Sequence, residues 1–316
     1  MKIIVVCRFH GVRIVPFISE QAEAVERLGH EVRFVISHHK GVRGYIELYR
    51  NLRKAMREMQ PDIIHAHFGI CGFAANLQRK VPVVVTYLGS DINTKIRYIS
   101  ILSMLLSKYN IFMGTRQLAK VKRFANPAKT EIVRYGILSD LFVEQDKQKA
   151  REALGLDKDK KYVLFSGRFS RLDKDPELAK AAVALLNDGE NEVVLQELTG
   201  GYTKEEMVSL MNAVDAAVVT SKAEGSPQFT KEVMSCGCPI VSVDVGDVAE
   251  QVEGLDGCYI VKSRDPREIA DALKKAIAFG KTNGHQHIKD MQLDNDQVAK
   301  KIVEIYEKLL GKERKS

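Results

Sequence analysis

Two glutamates, Glu224 and Glu232, are separated by seven residues where a predicted strand gives way to a predicted helix. The run AAVVTS (216–221) is typical of a buried strand. Ser226 and Pro227 then predict a sharp helix start, with Ser226 as the N-cap and Pro227 at the first helical position. The two carboxylates are therefore expected beside the carboxyl end of a strand, where parallel α/β sheets bind ligands.

The predicted helix start offers partners for an anion and for a sugar. After Gly225, the backbone N–H groups of residues 227–229 and the helix dipole favour an anion. Gln228 and Glu232 lie one turn apart on the same helix face. The carboxylate of Glu232 suits hydrogen bonds from sugar hydroxyls better than contact with phosphate. The alternative for Glu232 is an ordinary surface glutamate in mid-helix.

A cationic loop follows a second predicted strand, YVLFSG (162–167). Gly167 allows the backbone to turn sharply, and Arg168, Arg171 and Lys174 then crowd positive charge at the strand end. Each of two such cations about 4 Å from a diphosphate contributes roughly 4 kcal/mol at an effective dielectric constant of about 20. This charge suits a departing nucleoside diphosphate, whereas a solvated basic loop is the alternative.

The elements that must position these residues form two successive series of strands and helices. Their alternation predicts parallel sheets covered on both faces. We therefore expect an α/β chain of two Rossmann-like domains that face each other across a cleft, with boundaries at 1–140 and 141–316. The final helix, about 296–310, is counted with the second domain, although it could pack against either one. The dinucleotide-binding glycine triplet and the phosphate-loop motif are both absent.

The charge is divided unevenly along the 316 residues. Residues 1–140 carry 22 Lys and Arg against 10 Asp and Glu, whereas the remainder carries 26 against 31. The basic half predicts an anionic partner, namely anionic lipid or a phosphate-bearing acceptor. Nucleic acid is disfavoured because its recognition motifs are absent. Five scattered cysteines, no signal peptide and no membrane-spanning run predict a cytoplasmic protein that can touch the inner face of the membrane.

The basic stretch Lys40–Met59 leaves two interpretations open. It could be an amphipathic helix that rests on anionic lipid. It could equally be a crossover helix packed on the sheet, with a solvated outer face.

Four residues of the first domain are candidates for contact with the acceptor: His10, Gly11, His67 and Asp91. Asp91 could instead cap a helix. His65 is interpreted as a core residue, and we expect His65 and His67 to face opposite sides of their strand. A pair arranged in this way would not chelate a metal ion.

Four segments together resemble glycosyltransferase family 4. They are PDIIHAHFG (61–69), TYLGSD (86–91), the GRF segment with the downstream Lys174, and the Glu224/Glu232 pair, which matches the E-x7-E motif of that family. The resemblance implies the GT-B fold and transfer of a sugar from a nucleotide donor with retention at the anomeric carbon. It also implies that no metal or other cofactor is bound.

The same resemblance implies a role for each site residue. Arg168 and Lys174 would hold the diphosphate, and Glu224 would contact the donor sugar, so that these three are the predicted catalytic residues. Glu232 would bind the ribose hydroxyls, and Tyr202 would lie near the base. The implied acceptors are saccharides or lipid-linked molecules of cell-surface polysaccharide or glycolipid assembly.

The chain departs from the family pattern at Leu88, where family members usually have a histidine that contacts the transferred sugar. The first loop, Arg8-Phe9-His10-Gly11, also replaces the usual glycine pair. Two alternatives therefore remain: a nucleotide-sugar epimerase of the same fold, and a non-catalytic subunit that binds a nucleotide sugar.

Overall fold

The computed structural model describes residues 1–8, 14–39, 41–187 and 192–311, and the chain divides into two compact units. The first unit comprises Met1–Gly136 together with the chain from Asn295 onward, and the second comprises Ile137–Asp294. Each unit contains one parallel sheet with helices between its strands. The prediction of two Rossmann-like α/β domains is confirmed.

The first unit contains six parallel strands. They are β1 (Lys2–Arg8), β2 (Glu31–Ser37), β3 (Ile63–His67), β4 (Val83–Tyr87), β5 (Tyr109–Phe112) and β6 (Thr130–Ile132). Their order in the sheet is β2-β1-β3-β4-β5-β6. Its helices are α1 (Pro16–Arg27), α2 (Gly41–Met59), α3 (Gly69–Asn76), α4 (Ser90–Asn93), α5 (Arg97–Leu106) and α6 (Thr115–Ala119). Two 3-10 turns follow, Lys122–Phe124 and Pro127–Lys129.

Helices cover both faces of this sheet, and for that reason the inner strands β3, β4 and β5 are buried along their whole length. Along β1, Ile3 and Val5 belong to one hydrophobic core, while Ile4 and Val6 belong to a second core on the opposite face. The alternation follows from the two-residue repeat of a strand.

The second unit contains five parallel strands. They are β7 (Lys161–Phe165), β8 (Val193–Glu197), β9 (Ala216–Val219), β10 (Ile240–Val243) and β11 (Tyr259–Val261), in the order β11-β10-β9-β7-β8. Its helices are α7 (Lys147–Leu154), α8 (Pro176–Ala184), α9 (Lys204–Ala213), α10 (Gln228–Ser235), α11 (Val248–Gln251), α12 (Pro266–Phe279) and α13 (Gly284–Asp290). A 3-10 turn spans Leu172–Lys174. Because β7 and β9 are neighbours, the loops that follow them leave the sheet side by side.

The last helix, α14 (Asn295–Leu309), corrects the predicted domain boundaries, because it belongs to the first unit and not to the second. The Tyr306 hydroxyl lies 2.6 Å from Nδ1 of the buried His65 on β3. At the start of α14, the Asn295 side chain donates a 2.8 Å hydrogen bond to the carbonyl of Glu20. The amphipathic pattern of α14 predicts a packed helix but does not specify which sheet it covers. The first unit also ends at Gly136, four residues before the predicted limit.

Helices α3 and α5 pack closely through small residues. A Cβ atom at Gly69 would overlap Ser100, and one at Gly72 would overlap the Ser103 hydroxyl. Glycine and serine therefore allow the two helix backbones to approach each other at these positions. The buried face of α5 consists of Ser100, Ser103 and Met104.

Asp91 is fully buried in α4 and binds three backbone N–H groups from two segments of the chain. Its carboxylate accepts hydrogen bonds from the N–H groups of Gly69 and Gly89, both at 2.9 Å, and of Leu88 at 3.3 Å. Gly69 is the first residue of α3, so Asp91 satisfies a donor that the helix itself leaves unpaired. This geometry favours the capping role over contact with an acceptor.

We expect Tyr306→Phe to lower the free energy of unfolding by about 1–3 kcal/mol. The substitution removes the partner of a buried imidazole nitrogen while preserving the packing of the ring. Urea unfolding followed by circular dichroism measures the change. Tyr98→Phe is the matched control because Tyr98 is exposed. Equal effects of the two substitutions would contradict the role assigned to the His65–Tyr306 hydrogen bond.

A second prediction concerns pH. Burial raises the pKa of Asp91 from 3.8 to about 6, although its backbone hydrogen bonds lower it. Between about pH 4 and pH 6 the folded protein therefore keeps a proton that the unfolded chain has lost. Across this range the wild type should lose about 3 kcal/mol of stability relative to Asp91→Asn as pH rises. Urea unfolding at several pH values tests this, with exposed Asp140→Asn expected to follow the wild-type curve; a constant difference between wild type and Asp91→Asn would refute it.

Candidate functional site

The candidate site lies at the carboxyl edge of the second sheet, where the chain leaves β7 and β9. The two strands are paired in parallel, with Phe165 opposite Val218. Beyond them, the N–H of Ser166 donates a 3.2 Å hydrogen bond to the carbonyl of Val218. The cationic loop and the Glu224 turn, both predicted from the sequence, therefore start from adjacent points.

Lys174 and Glu224 meet in an ion pair between these loops. The Lys174 ammonium nitrogen lies 2.5 Å from Oε1 of Glu224, and the two side chains are only 17% and 13% exposed. Gly167 makes room for the lysine, because a Cβ atom there would come within 3.2 Å of Lys174 Cγ. The pair is shielded from water more than a typical surface ion pair, so that its electrostatic attraction is stronger.

The Arg168 guanidinium lies against the loop that follows β8. Arg168 is exposed, and a Cβ atom at Gly200 would overlap the end of its guanidinium, so a side chain there would push the flexible arginine aside. Tyr202 is half-buried and packs against the core of the second unit. Arg171 is exposed as well, and it forms an ion pair with Asp173 at 2.6 Å. Of the three predicted cations, Arg171 is thus the one whose charge is paired at the surface with a carboxylate two residues further along the chain.

Two residues that the sequence did not single out hold the lysine loop in place. The Thr220 hydroxyl donates one hydrogen bond that is shared between the carbonyls of Lys174 and Asp175, each at 2.9 Å. The Arg264 guanidinium donates to the Thr220 carbonyl at 2.6 Å and to the Asp175 carboxylate at 2.7 Å. Arg264 is remote in sequence from both loops and carries no motif, so no sequence signal points to it.

The start of α10 differs from the prediction at Ser226. The helix begins at Gln228, and Pro227 is the N-cap residue, with an extended ψ of 130°. Ser226 is not the N-cap; its hydroxyl instead accepts a 3.2 Å hydrogen bond from Gln251. Pro227 also lacks an N–H group, so the amides offered to an anion begin at Gln228 and not at residue 227.

A buried polar network supports this turn. The Gln251 amide donates to Asp247 at 2.7 Å, and its carbonyl oxygen accepts from the Thr230 hydroxyl. Gly246, with a φ of +58°, sits directly against the backbone that joins Glu224 to Gly225. Any side chain at residue 246 would displace that backbone, and Glu224 with it.

The predicted end of α10 is confirmed. Gly237 has a φ of +72° and donates to the Met234 carbonyl at 2.8 Å, while Cys238 donates to the Val233 carbonyl at 3.2 Å. This is the Schellman pattern that left-handed glycine makes possible. Glu232 lies within the helix, half-buried, one turn beyond Gln228.

Two buried hydroxyls at the same edge of the sheet have no hydrogen-bond partner among the described residues: those of Ser166 and Ser221. Ser166 follows β7, and Ser221 lies two residues after β9. Because a buried hydroxyl without a partner costs free energy, both groups are suited to a polar ligand at this edge.

The first-unit candidates have different outcomes. His10 and Gly11 lie outside the described residues. The His65 and His67 rings stack on the same side of β3 with centroids 4.3 Å apart, so the predicted opposite facing is wrong. Residues two apart on a strand share a face. His67 is buried and bonded to the Tyr135 hydroxyl.

Burial keeps the imidazoles of this histidine pair neutral. Burial lowers the pKa of His65 to about 3 and the pKa of His67 well below its ordinary value. Both ring nitrogens of His65 are engaged, with Tyr306 and with Thr86. Within residues 1–8, 14–39, 41–187 and 192–311, no cluster of three or more His, Cys, Asp or Glu side chains could hold a metal ion.

Helix α2 is a crossover helix in the first unit, with Leu48, Leu52 and Ala55 buried against the sheet. Its outer face is solvated, in agreement with the interpretation of this stretch as a crossover helix packed on the sheet. No helix among the described residues is both long and apolar enough to cross a membrane.

Two family models match the chain. The model of Glycosyltransferase Family 4 matches residues 10–131, and that of Glycosyl transferases group 1 matches residues 196–278. Together they cover more than half of the sequence, with one match in each unit.

Curated relatives share about a quarter of their residues with the chain. A protein named for teichuronic acid biosynthesis, the glycosyltransferase TuaC of Bacillus subtilis, is 26% identical over 243 residues, which cover 69% of this chain and 62% of TuaC. The D-inositol 3-phosphate glycosyltransferase of Geodermatophilus obscurus is 25% identical over 268 residues, which cover 69% of this chain and 59% of that enzyme. The chain therefore spans about three fifths of the length of these relatives.

Solved structures share the fold. Sucrose-phosphate synthase from Thermosynechococcus elongatus superimposes with a TM-score of 0.83 at 17% identity, over 99% of this chain and all of that one. HepE from Anabaena, solved in complex with UDP, gives a TM-score of 0.72 at 15% identity over 96% of this chain and 99% of HepE. With these matches in both units, the chain belongs to glycosyltransferase family 4 and has the GT-B fold.

Proposed function

We propose that this glycosyltransferase transfers a sugar from a nucleoside diphosphate sugar to a hydroxyl acceptor, with retention at the anomeric carbon. The observation that carries the proposal is the contact between Lys174 and Glu224 at the carboxyl edge of the second sheet. It places a cation suited to a diphosphate beside a carboxylate suited to sugar hydroxyls. The complexes of HepE with UDP and with UDP-glucose support this donor class.

The leaving group is assigned to the cationic side of the site. As the bond to the sugar breaks, negative charge grows on the diphosphate. Lys174 and Arg168, together with the N-terminal amides of α10, stabilise that charge. Their positive charge supplies what a divalent cation supplies in other sugar transfers, so the proposed reaction needs no metal.

The sugar and ribose are assigned to the carboxylates. Glu224 accepts hydrogen bonds from the donor-sugar hydroxyls, and Glu232 accepts them from the ribose hydroxyls. The buried hydroxyls of Ser166 and Ser221 supply further hydrogen bonds at the same edge.

In the proposed step the bond between the anomeric carbon and the diphosphate oxygen breaks. The acceptor oxygen forms its bond to the same face of that carbon, and the acceptor proton passes to the departing diphosphate or to solvent. The proposed acceptors are saccharides or lipid-linked molecules of cell-surface polysaccharide or glycolipid assembly in the cytoplasm. The name of the teichuronic acid relative supports this acceptor class.

Donor specificity and turnover test this proposal directly. Thermal-shift screening with UDP-, GDP-, ADP- and CMP-linked sugars identifies the donor, because binding to the native state raises the melting temperature. We expect Lys174→Ala and Arg168→Ala to lower turnover of that donor at least a hundredfold, since each removes a charge that stabilises the leaving group. Release of the nucleoside diphosphate is the readout, with and without EDTA.

Lys158→Ala is the matched control. Lys158 also forms a 2.5 Å ion pair, with Glu152, but this pair is exposed and precedes β7 instead of following it. This variant should retain wild-type turnover.

Unchanged turnover in both site variants would remove the leaving-group role, and loss of activity on addition of EDTA would refute the metal-free step. Interconversion of the donor sugar without acceptor would identify an epimerase, and donor binding without turnover on an acceptor panel would identify a binding subunit.

A further prediction concerns the support of Arg168. We expect Gly200→Ala to lower donor turnover, by less than Arg168→Ala does, because the new Cβ atom would displace the flexible end of the guanidinium. In an Arg168→Ala background the same substitution should have little effect, since its target is gone. The double-mutant cycle measures this coupling. Additive losses would show that Gly200 acts independently of Arg168.

A further inference from the structure

In helix α5 of the first unit, small polar side chains are buried and large apolar side chains are exposed. Its buried face carries Ser100 and Ser103, which pack against the glycines of α3. Its outer face carries large apolar side chains: Tyr98 is 66% exposed, Leu102 51% and Leu105 53%. These three residues follow one another at helical spacings of four and three, so they form a single stripe.

The stripe is bordered by positive charge. Arg97 lies over the Tyr98 ring and Arg123 over the Phe124 ring, at 5.5 and 4.5 Å from the ring centroids. Tyr98 and Leu102, with Arg97, Arg123 and Lys120, line one shallow groove beside α5. Neither Arg97 nor Arg123 has a carboxylate partner among the described residues.

The surrounding sequence is almost free of negative charge. Between Asp62 and Glu131 the chain contains ten Lys and Arg residues and only one acidic residue, Asp91. Asp91 is fully buried and engaged with three backbone N–H groups. The surface around α5 therefore presents cations without compensating carboxylates from this segment.

We propose that the α5 stripe is a docking surface for an anionic lipid bilayer, with Tyr98, Leu102 and Leu105 in the interfacial layer and the flanking cations at the phosphate groups. Large apolar side chains with basic residues on either side match the boundary between headgroups and acyl chains. An apolar contact with a water-soluble protein would not explain why the stripe is surrounded by cations and not by carboxylates, whereas an anionic membrane would. This surface is distinct from α2, whose large apolar residues are turned mainly toward the sheet.

The test uses the 316-residue chain and co-sedimentation with unilamellar vesicles, with phosphatidylcholine alone or mixed with phosphatidylglycerol. The wild type should bind the anionic vesicles and lose most of that binding in 0.5 M salt. Leu102→Ser/Leu105→Ser should lower the partition coefficient at least tenfold, and so should Arg97→Gln/Arg123→Gln. Both pairs are surface substitutions, so circular dichroism and donor turnover in solution should remain at wild-type values.

Two controls match these variants. Leu185→Ser removes a leucine of similar exposure, 55%, from the second unit, and Arg50→Gln/Arg57→Gln removes two exposed cations from α2. Neither should change vesicle binding. Absent binding of the wild type, equal binding of the Leu102/Leu105 variant, or a loss confined to the α2 variant would each overturn the proposal. So would self-association that the leucine substitutions abolish without any effect on vesicles, because that result would identify a second copy as the occupant.

Discussion

The candidate site depends on one interaction, the shielded ion pair between Lys174 and Glu224. It joins two loops that are fifty residues apart in sequence but leave neighbouring strands of one parallel sheet. Removing two charges from water is unfavourable unless their mutual attraction and further hydrogen bonds compensate for it. The lysine loop is accordingly fixed by Thr220 and Arg264 and the glutamate turn by close contact with Gly246, so that neither backbone has to be ordered by the ion pair alone.

This geometry has a chemical meaning for a sugar transfer. The bond that breaks in such a reaction connects a diphosphate oxygen to an anomeric carbon, and the two ends of that bond have opposite requirements. The phosphate end needs positive charge, and the hydroxyls of the sugar need acceptors. In the proposed reaction, a lysine and a glutamate in direct contact would provide both within a few ångströms, without either group having to move to its partner.

The sequence predicted the architecture well, because buried parallel strands are continuous apolar runs and because glycine and proline mark helix ends such as Gly237. It also predicted which loops would meet, since the carboxyl ends of neighbouring strands share an edge. The errors have specific causes. Ser226 failed as an N-cap because the proline after it adopts an extended ψ. The His65 and His67 error came from a misapplied strand repeat.

Other features carried no usable sequence signal. Arg264 and Gly200 act through contacts between segments that are distant in the chain, and their residue types are common in loops. The pattern of α5 is visible in the sequence as alternating apolar residues and serines. Which of the two sets faces the protein depends on the glycines of α3, and only the packed structure reveals it. The amphipathic repeat of α14 likewise could not identify the sheet that it covers.

The assignment of α14 to the first unit means that residues 137–294 are one uninterrupted segment inserted into the other unit. The two ends of this segment lie side by side, because Ile137 donates a 2.9 Å hydrogen bond to the Leu293 carbonyl and Ser139 bonds to Asp294 at 2.6 Å. Adjacent ends are the condition under which a segment can be excised, transplanted or circularly permuted with little strain. The unit that carries the Lys174–Glu224 pair is therefore a continuous segment with adjacent ends, whereas the other unit is formed by two separate segments of the chain.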